Sequence, residues 1–138
     1  MKILVTGDRG YIGATLVPML RKKYEVIGYD SGYFSENLLE QFDEDYIKIT
    51  KDIRDISRED LEEVDGIIHL AGLSNDPLGE FSPKLTEEIN YSGTIRLAEM
   101  AKDIGVSRFV YASSQSMYGV SDTSNELDED DSEKNPVT

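Results

Sequence analysis

Short apolar runs alternate with apolar residues at helical spacing along the chain. Ile3, Leu4 and Val5 form the first run, and Gly7, Gly10 and Gly13 follow it three residues apart. Ile12, Leu16, Val17 and Leu20 then recur at the period of a helix face, with Pro18 placed to kink it. Glu25–Asp30, Asp45–Thr50, Asp65–Leu70 and Ser107–Ala112 predict four further strands. Ser35 to Phe42 predicts a short helix, and Ser57 with Asp60 three residues on resembles a capping box. Leu73 to Phe81, rich in turn formers, predicts a loop. A long helix then begins with Ser82 as N-cap and Pro83 at its first position. Ile89, Gly93, Leu97, Met100, Ala101 and Ile104 mark its buried face, and Gly105 ends it. Beyond Ser113 the chain turns polar and acidic.

This βαβαβαβαβ order, with near-continuous apolar strands, calls for a parallel sheet covered on both faces. Right-handed crossovers give the expected order 3-2-1-4-5, a Rossmann-type doubly wound α/β fold stopping after its fifth strand. Ligands of such sheets bind beyond the carboxyl ends of the strands. Gly7 to Gly13, Asp30, Asp52, Ala71-Gly72 and Ser113-Ser114 all follow strand ends, so the fold is expected to gather them at one edge.

Composition narrows the function. At 138 residues the chain is at most one domain. It has no cysteine, which excludes disulfides and thiolate metal sites. The net charge of −14 argues against nucleic acid or anionic membrane as a partner. No apolar run is long enough to span a bilayer and no signal-peptide pattern opens the chain, so a cytoplasmic location is expected. Asp122 to Glu133 holds seven acids without a Lys or Arg and is read as a solvated loop.

The glycines supply the first chemistry. Three positions without a Cβ, between a strand and a helix start, let backbone N–H groups and the positive helix end face an anion such as a dinucleotide pyrophosphate. The spacing is G-x-x-G-x-x-G, one residue longer than the commonest fingerprint. Asp30, about twenty residues further on at a strand end, is placed to accept both ribose hydroxyls. His69 is the single histidine, with no Cys or second His beside it, so a structural role and no metal site are expected.

Taken in order, TGDRGYIG after the first strand, Asp30, Asp52-Ile53, His69–Gly72 (HLAG), Asn90 with Gly93-Thr94, and Ser113–Gly119 (SSQSMYG) resemble the extended short-chain dehydrogenase/reductases. More narrowly they resemble the NAD-dependent epimerase/dehydratase branch that includes UDP-galactose 4-epimerase. The resemblance implies that Gly7, Gly10, Tyr11, Ile12 and Gly13 hold the pyrophosphate and Asp30 the adenosine ribose. Asp52 and Ile53 would flank the adenine, and Leu70, Ala71 and Gly72 would line the route to the nicotinamide ribose. Arg9, Ser31, Asn90, Ala112 and Ser113 complete the implied cofactor set. Ser114 matches the catalytic Ser/Thr that hydrogen-bonds the sugar oxygen, with Ser74, Asn75 and Gln115 on the substrate side. Plainer alternatives stand beside these roles: glycines serving only as turns, Asp30 capping a loop, Asn90 bonding a helix kink, and Ser113-Ser114 ending a strand through local bonds. Asp30 would repel a 2′-phosphate, which favours NAD, while Arg9 keeps NADP as the weaker alternative.

The resemblance further implies a nucleotide-sugar substrate, a homo-oligomer, and a general base formed by a tyrosine with a lysine four residues later. None of the eight tyrosines has lysine at that position. Residues 1–120 are therefore expected to be an incomplete NAD(P)-binding domain, and 121–138 an acidic loop leading to a catalytic helix beyond an N-terminal fragment. The unpaired fifth strand should then promote self-association. Gln115-Ser116 stand where dehydratases of the branch favour Asp-Glu, which puts epimerisation or keto-reduction ahead of dehydration. The rival expectation is a non-catalytic NAD(P)-binding module or sensor.

Overall fold

The structure, a computed structural model, describes residues 1–34, 45–74, 76–119, 128 and 130. The short helix expected over Ser35 to Phe42, Asn75 and nearly all of the acidic segment lie outside the described residues.

Five parallel strands form one sheet: β1 (Lys2–Thr6), β2 (Glu25–Asp30), β3 (Ile47–Thr50), β4 (Gly66–His69) and β5 (Arg108–Tyr111), in the order β3-β2-β1-β4-β5. The order reverses at β1, which pairs with β2 on one side (Leu4 opposite Ile27) and β4 on the other (Leu4 opposite Ile67). Successive side chains on a strand point to opposite faces, and this splits the core in two. Leu4, Ile27, Tyr29 and Ile67 pack on one face with Leu97 and Ala101. Ile3, Val5 and Val26 pack on the other with Val17.

Val17 belongs to α1 (Tyr11–Leu20), which contains Pro18 and runs two residues past it. Ile12, expected on the buried stripe, is exposed in the first turn, and Gly13 is buried instead. The loop expected over Leu73 to Phe81 contains a short helix, α2 (Asp76–Phe81), so its turn-like composition is misleading. The long helix is present but not uniform. It runs through α3 (Pro83–Thr86), a π-helical segment (Glu87–Ser92) and α4 (Gly93–Ile104). Ser82 stands at the N-cap position but makes no side-chain cap. Gly105 ends the helix in the left-handed region as expected, whereas Ile104 is partly exposed.

On β5, at the sheet edge, Val110 and Tyr111 are exposed. Among the described residues no helix is long and apolar enough to cross a membrane.

Candidate functional site

The carboxyl ends of β1, β2, β3 and β4 surround a cavity of about 120 Å³. It brings together Gly7, Gly10, Asp30, Ser31, Asp52, Ile53, Leu70, Ala71 and Gly72 from the expected set. Tyr29, Tyr33, Phe34, Lys51, Leu73 and Ile89 also line it, and sequence reasoning does not assign them to the site.

The glycine loop is built by close approach. Gly7 has φ +74°, and a Cβ there would lie 2.8 Å from the backbone N of Ala71. A Cβ on Gly13 would lie 2.2 Å from the carbonyl oxygen of Gly7, so Gly13 closes the loop from beneath. The Gly10 N–H donates to the Gly7 carbonyl at 3.1 Å, and the Gly7 N–H donates to the Tyr29 carbonyl at 2.8 Å. The result is a tight loop that faces the cavity with Gly7 and Gly10 and leads into a ten-residue helix, whose first-turn N–H groups suit a diphosphate. Tyr11 and Ile12 stand exposed on the first turn above it.

Asp30 ends β2 with its carboxylate held by two backbone donors, Gly32 N–H at 2.7 Å and Arg9 N–H at 3.3 Å. The Arg9 guanidinium lies alongside and donates to the Asp30 carbonyl at 2.6 Å and the Thr50 hydroxyl at 3.1 Å. Asp30 thus both shapes the β2 turn and presents negative charge to the cavity. Asp52 caps the turn after β3, and the Arg54 guanidinium holds its carboxyl below the usual carboxylate range.

A polar chain crosses the fold behind the cavity. The Ala71 N–H donates to Thr6 Oγ1 at 3.3 Å, and Thr6 Oγ1 lies 2.6 Å from His69 Nδ1. On the other side, His69 Nε2 is 2.8 Å from Thr94 Oγ1, whose hydroxyl donates to the Asn90 carbonyl at 2.6 Å. Thr94 spends its hydrogen on Asn90, so it accepts from Nε2–H, and Nδ1 accepts from Thr6. His69 is therefore the neutral Nε2–H tautomer. Burial keeps it neutral, depressing its pKa to about 4. The Asn90 amide then clamps the loop after β4, accepting from Leu73 N–H at 2.7 Å and donating to the Leu73 carbonyl at 2.8 Å. Asn90 shapes the cavity wall through Leu73.

Asp8, unassigned from sequence, is wholly buried under the glycine loop. Its Oδ2 accepts from the Tyr46 hydroxyl at 2.7 Å, while Oδ1 is without a hydrogen-bond partner. Burial pushes its pKa up, with Asp30 adding in the same sense. A Cβ on Gly28 would lie 2.1 Å from the Asp8 carboxylate, so the glycine in mid-strand makes room for this acid.

Beyond β5, the Ala112 N–H donates to the His69 carbonyl at 3.1 Å and carries the chain along the same sheet edge. Ser114 is exposed and its Oγ accepts from Ser116 N–H at 3.1 Å, which leaves its own hydrogen free to donate. Ser113 Oγ lies 3.8 Å from Met117 Sδ. Ala112, Ser113, Ser114 and Ser74 are exposed and do not line the cavity. The side chain of Gln115 lies outside the described residues.

The sequence profile of the NAD-dependent epimerase/dehydratase family matches residues 3–138. UDP-glucose 4-epimerase of Klebsiella pneumoniae is 34% identical over 131 residues, covering 86% of this chain and 93% of that one. UDP-glucose 4-epimerase of Bacillus subtilis is 33% identical over 134 residues, and the match covers 90% of this chain but 40% of its relative. The structure of Thermus thermophilus UDP-glucose 4-epimerase complexed with NAD superposes with a TM-score of 0.84 at 26% identity. That superposition covers 99% of this chain and 45% of the other. The chain thus spans less than half the length of these last two proteins.

Proposed function

The chain belongs to the NAD-dependent epimerase/dehydratase family, and on that premise we propose that it is the cofactor-binding part of an NAD-dependent nucleotide-sugar epimerase or ketoreductase. The observation that carries this reading is the glycine backbone of Gly7 and Gly10 facing the cavity at a helix start, with Asp30 at the neighbouring strand end. The reading gives the pyrophosphate to the loop of Gly7, Gly10 and Gly13, and the adenosine ribose to Asp30. Asp52 and Ile53 would flank the adenine, with the Asp52 carboxylate as the acceptor for its amine, and Leu70, Ala71 and Gly72 would line the route to the nicotinamide ribose. Arg9, Ser31, Asn90, Ala112 and Ser113 support that path.

Bound NAD supplies a hydride acceptor. The chain's own contribution to the reaction is orientation: the Ser114 hydroxyl, its lone pair engaged by Ser116 N–H, donates to the sugar oxygen that becomes a carbonyl. Asp30 favours NAD over NADP because a 2′-phosphate beside its carboxylate is repelled. A UDP-sugar is the substrate class supported by the named relatives.

Calorimetric titration with NAD tests the cofactor half. Asp30→Ala is expected to weaken NAD at least about tenfold, the worth of a charge-assisted hydrogen bond; unchanged affinity refutes the ribose assignment. Product analysis with UDP-glucose, using protein that contains this segment, tests the other half. Ser114→Ala should lower turnover about a hundredfold while leaving NAD affinity unchanged, and full turnover in that variant would remove Ser114 from the reaction.

A further inference from the structure

The Asp52 carboxylate is held almost entirely by one neighbour. Arg54 N–H donates to Oδ1 at 2.9 Å, Nε to Oδ1 at 3.0 Å and Nη2 to Oδ2 at 2.8 Å. The remaining guanidinium nitrogen, Nη1, donates to Glu88 Oε2 at 3.2 Å on the π-helical segment. The Arg54 carbonyl in turn accepts from Arg96 Nη1 at 2.8 Å on α4. Between Asp52 and Arg54, Ile53 is buried, and a Cβ on Gly93 would lie 3.3 Å from it. A planar fork tied to a carboxylate at one end and a second acid at the other has little freedom to turn.

Resting on the adenine assignment above, we propose that Arg54 is a positioning residue for base recognition. It presents Asp52 as a pure acceptor at the cavity wall, so that a base with an exocyclic amine is selected over one with an oxo group. An ionised carboxylate has about four acceptor positions, and Arg54 occupies three of them. The exposed Tyr33 hydroxyl approaches the same carboxylate, and an incoming amine replaces it. An oxo group in the same place would set acceptor against acceptor. Only protonated Asp52 could donate to it, and the guanidinium suppresses that form.

The test compares NAD with nicotinamide hypoxanthine dinucleotide, which differs by an oxo group in place of the amine, in calorimetric titrations of the purified chain. Unaltered protein is expected to prefer NAD by about tenfold or more. Arg54→Gln should bring the ratio to about two, mostly through weaker NAD binding, and Arg54→Lys should fall between, as a point donor without the fork. Thermal unfolding of each variant checks that it is folded, and the lysine variant retains the charge if the glutamine variant is not. If both variants lose affinity for the two dinucleotides alike and the ratio stands, Arg54 is only structural and the proposal is overturned. If the unaltered chain binds both equally well, dinucleotide binding survives but the base-selection role is refuted. Failure to bind either would remove the adenine assignment itself.

Discussion

The buried, neutral His69 makes stability depend on pH in a defined window. Its pKa falls from 6.5 to about 4 on folding because burial opposes the charge. The unfolded chain therefore binds a proton between these values while the folded chain does not. Stability contributed by the neutral ring is complete above pH 6.5 and is lost as the pH falls toward 4. The whole shift is worth about 3 kcal/mol, of which about 2 kcal/mol is expressed between about pH 7 and about pH 5. Urea unfolding of the wild-type chain and of His69→Gln at several values across that range isolates this contribution, because the carboxylates titrate in both. The expected result is a variant less stable at about pH 7, since an amide cannot reproduce the bridge from Thr6 to Thr94. The gap between the two proteins should narrow by about 2 kcal/mol at about pH 5. Parallel pH profiles would refute the neutral, buried assignment.

Gly28→Ala would set a methyl group 2.1 Å from the Asp8 carboxylate, and should cost about 1–3 kcal/mol in urea unfolding. Asp8→Ala in the same chain removes the obstructing oxygens, so the two changes should couple by about 1 kcal/mol or more, and strict additivity would contradict the packing. Arg9→Ala removes the guanidinium beside Asp30 and should weaken NADP more than NAD in parallel titrations; an unchanged ratio would take Arg9 out of cofactor choice.

Most of the fold is legible because each strand reads as a short apolar run, even at the exposed edges β3 and β5, and right-handed crossovers leave few orders for five of them. The errors have local causes. Ile12 matches the helix period, but it is exposed in the first turn of α1, and Gly13, packed against the Gly7 and Asp8 carbonyls, takes the buried place. Pro77 and Gly79 disguise α2, since Pro is tolerated in a first turn. The π-helical segment escapes because apolar spacing does not register a local widening of the turn, although Asn90 sits within it. The strand-end residues that line the cavity are legible one by one, as the fold class says where strand ends meet. Asp8 is not, because its partners Tyr46 and Gly28 lie elsewhere in the chain and only the tertiary fold brings the three together. The role of Arg54 is equally hidden, as its contact to Glu88 spans 34 residues.

The proposed dinucleotide site occupies the carboxyl edge of this sheet. Backbone amide chemical shifts of the chain, followed during addition of NAD, test it most directly. The largest changes are expected on Gly7, Gly10, Ser31, Gly32, Asp52, Ile53, Ala71 and Gly72, with little change at the opposite edge around Glu63 and Asp65. Changes confined to that opposite edge, or none at millimolar NAD, would contradict it.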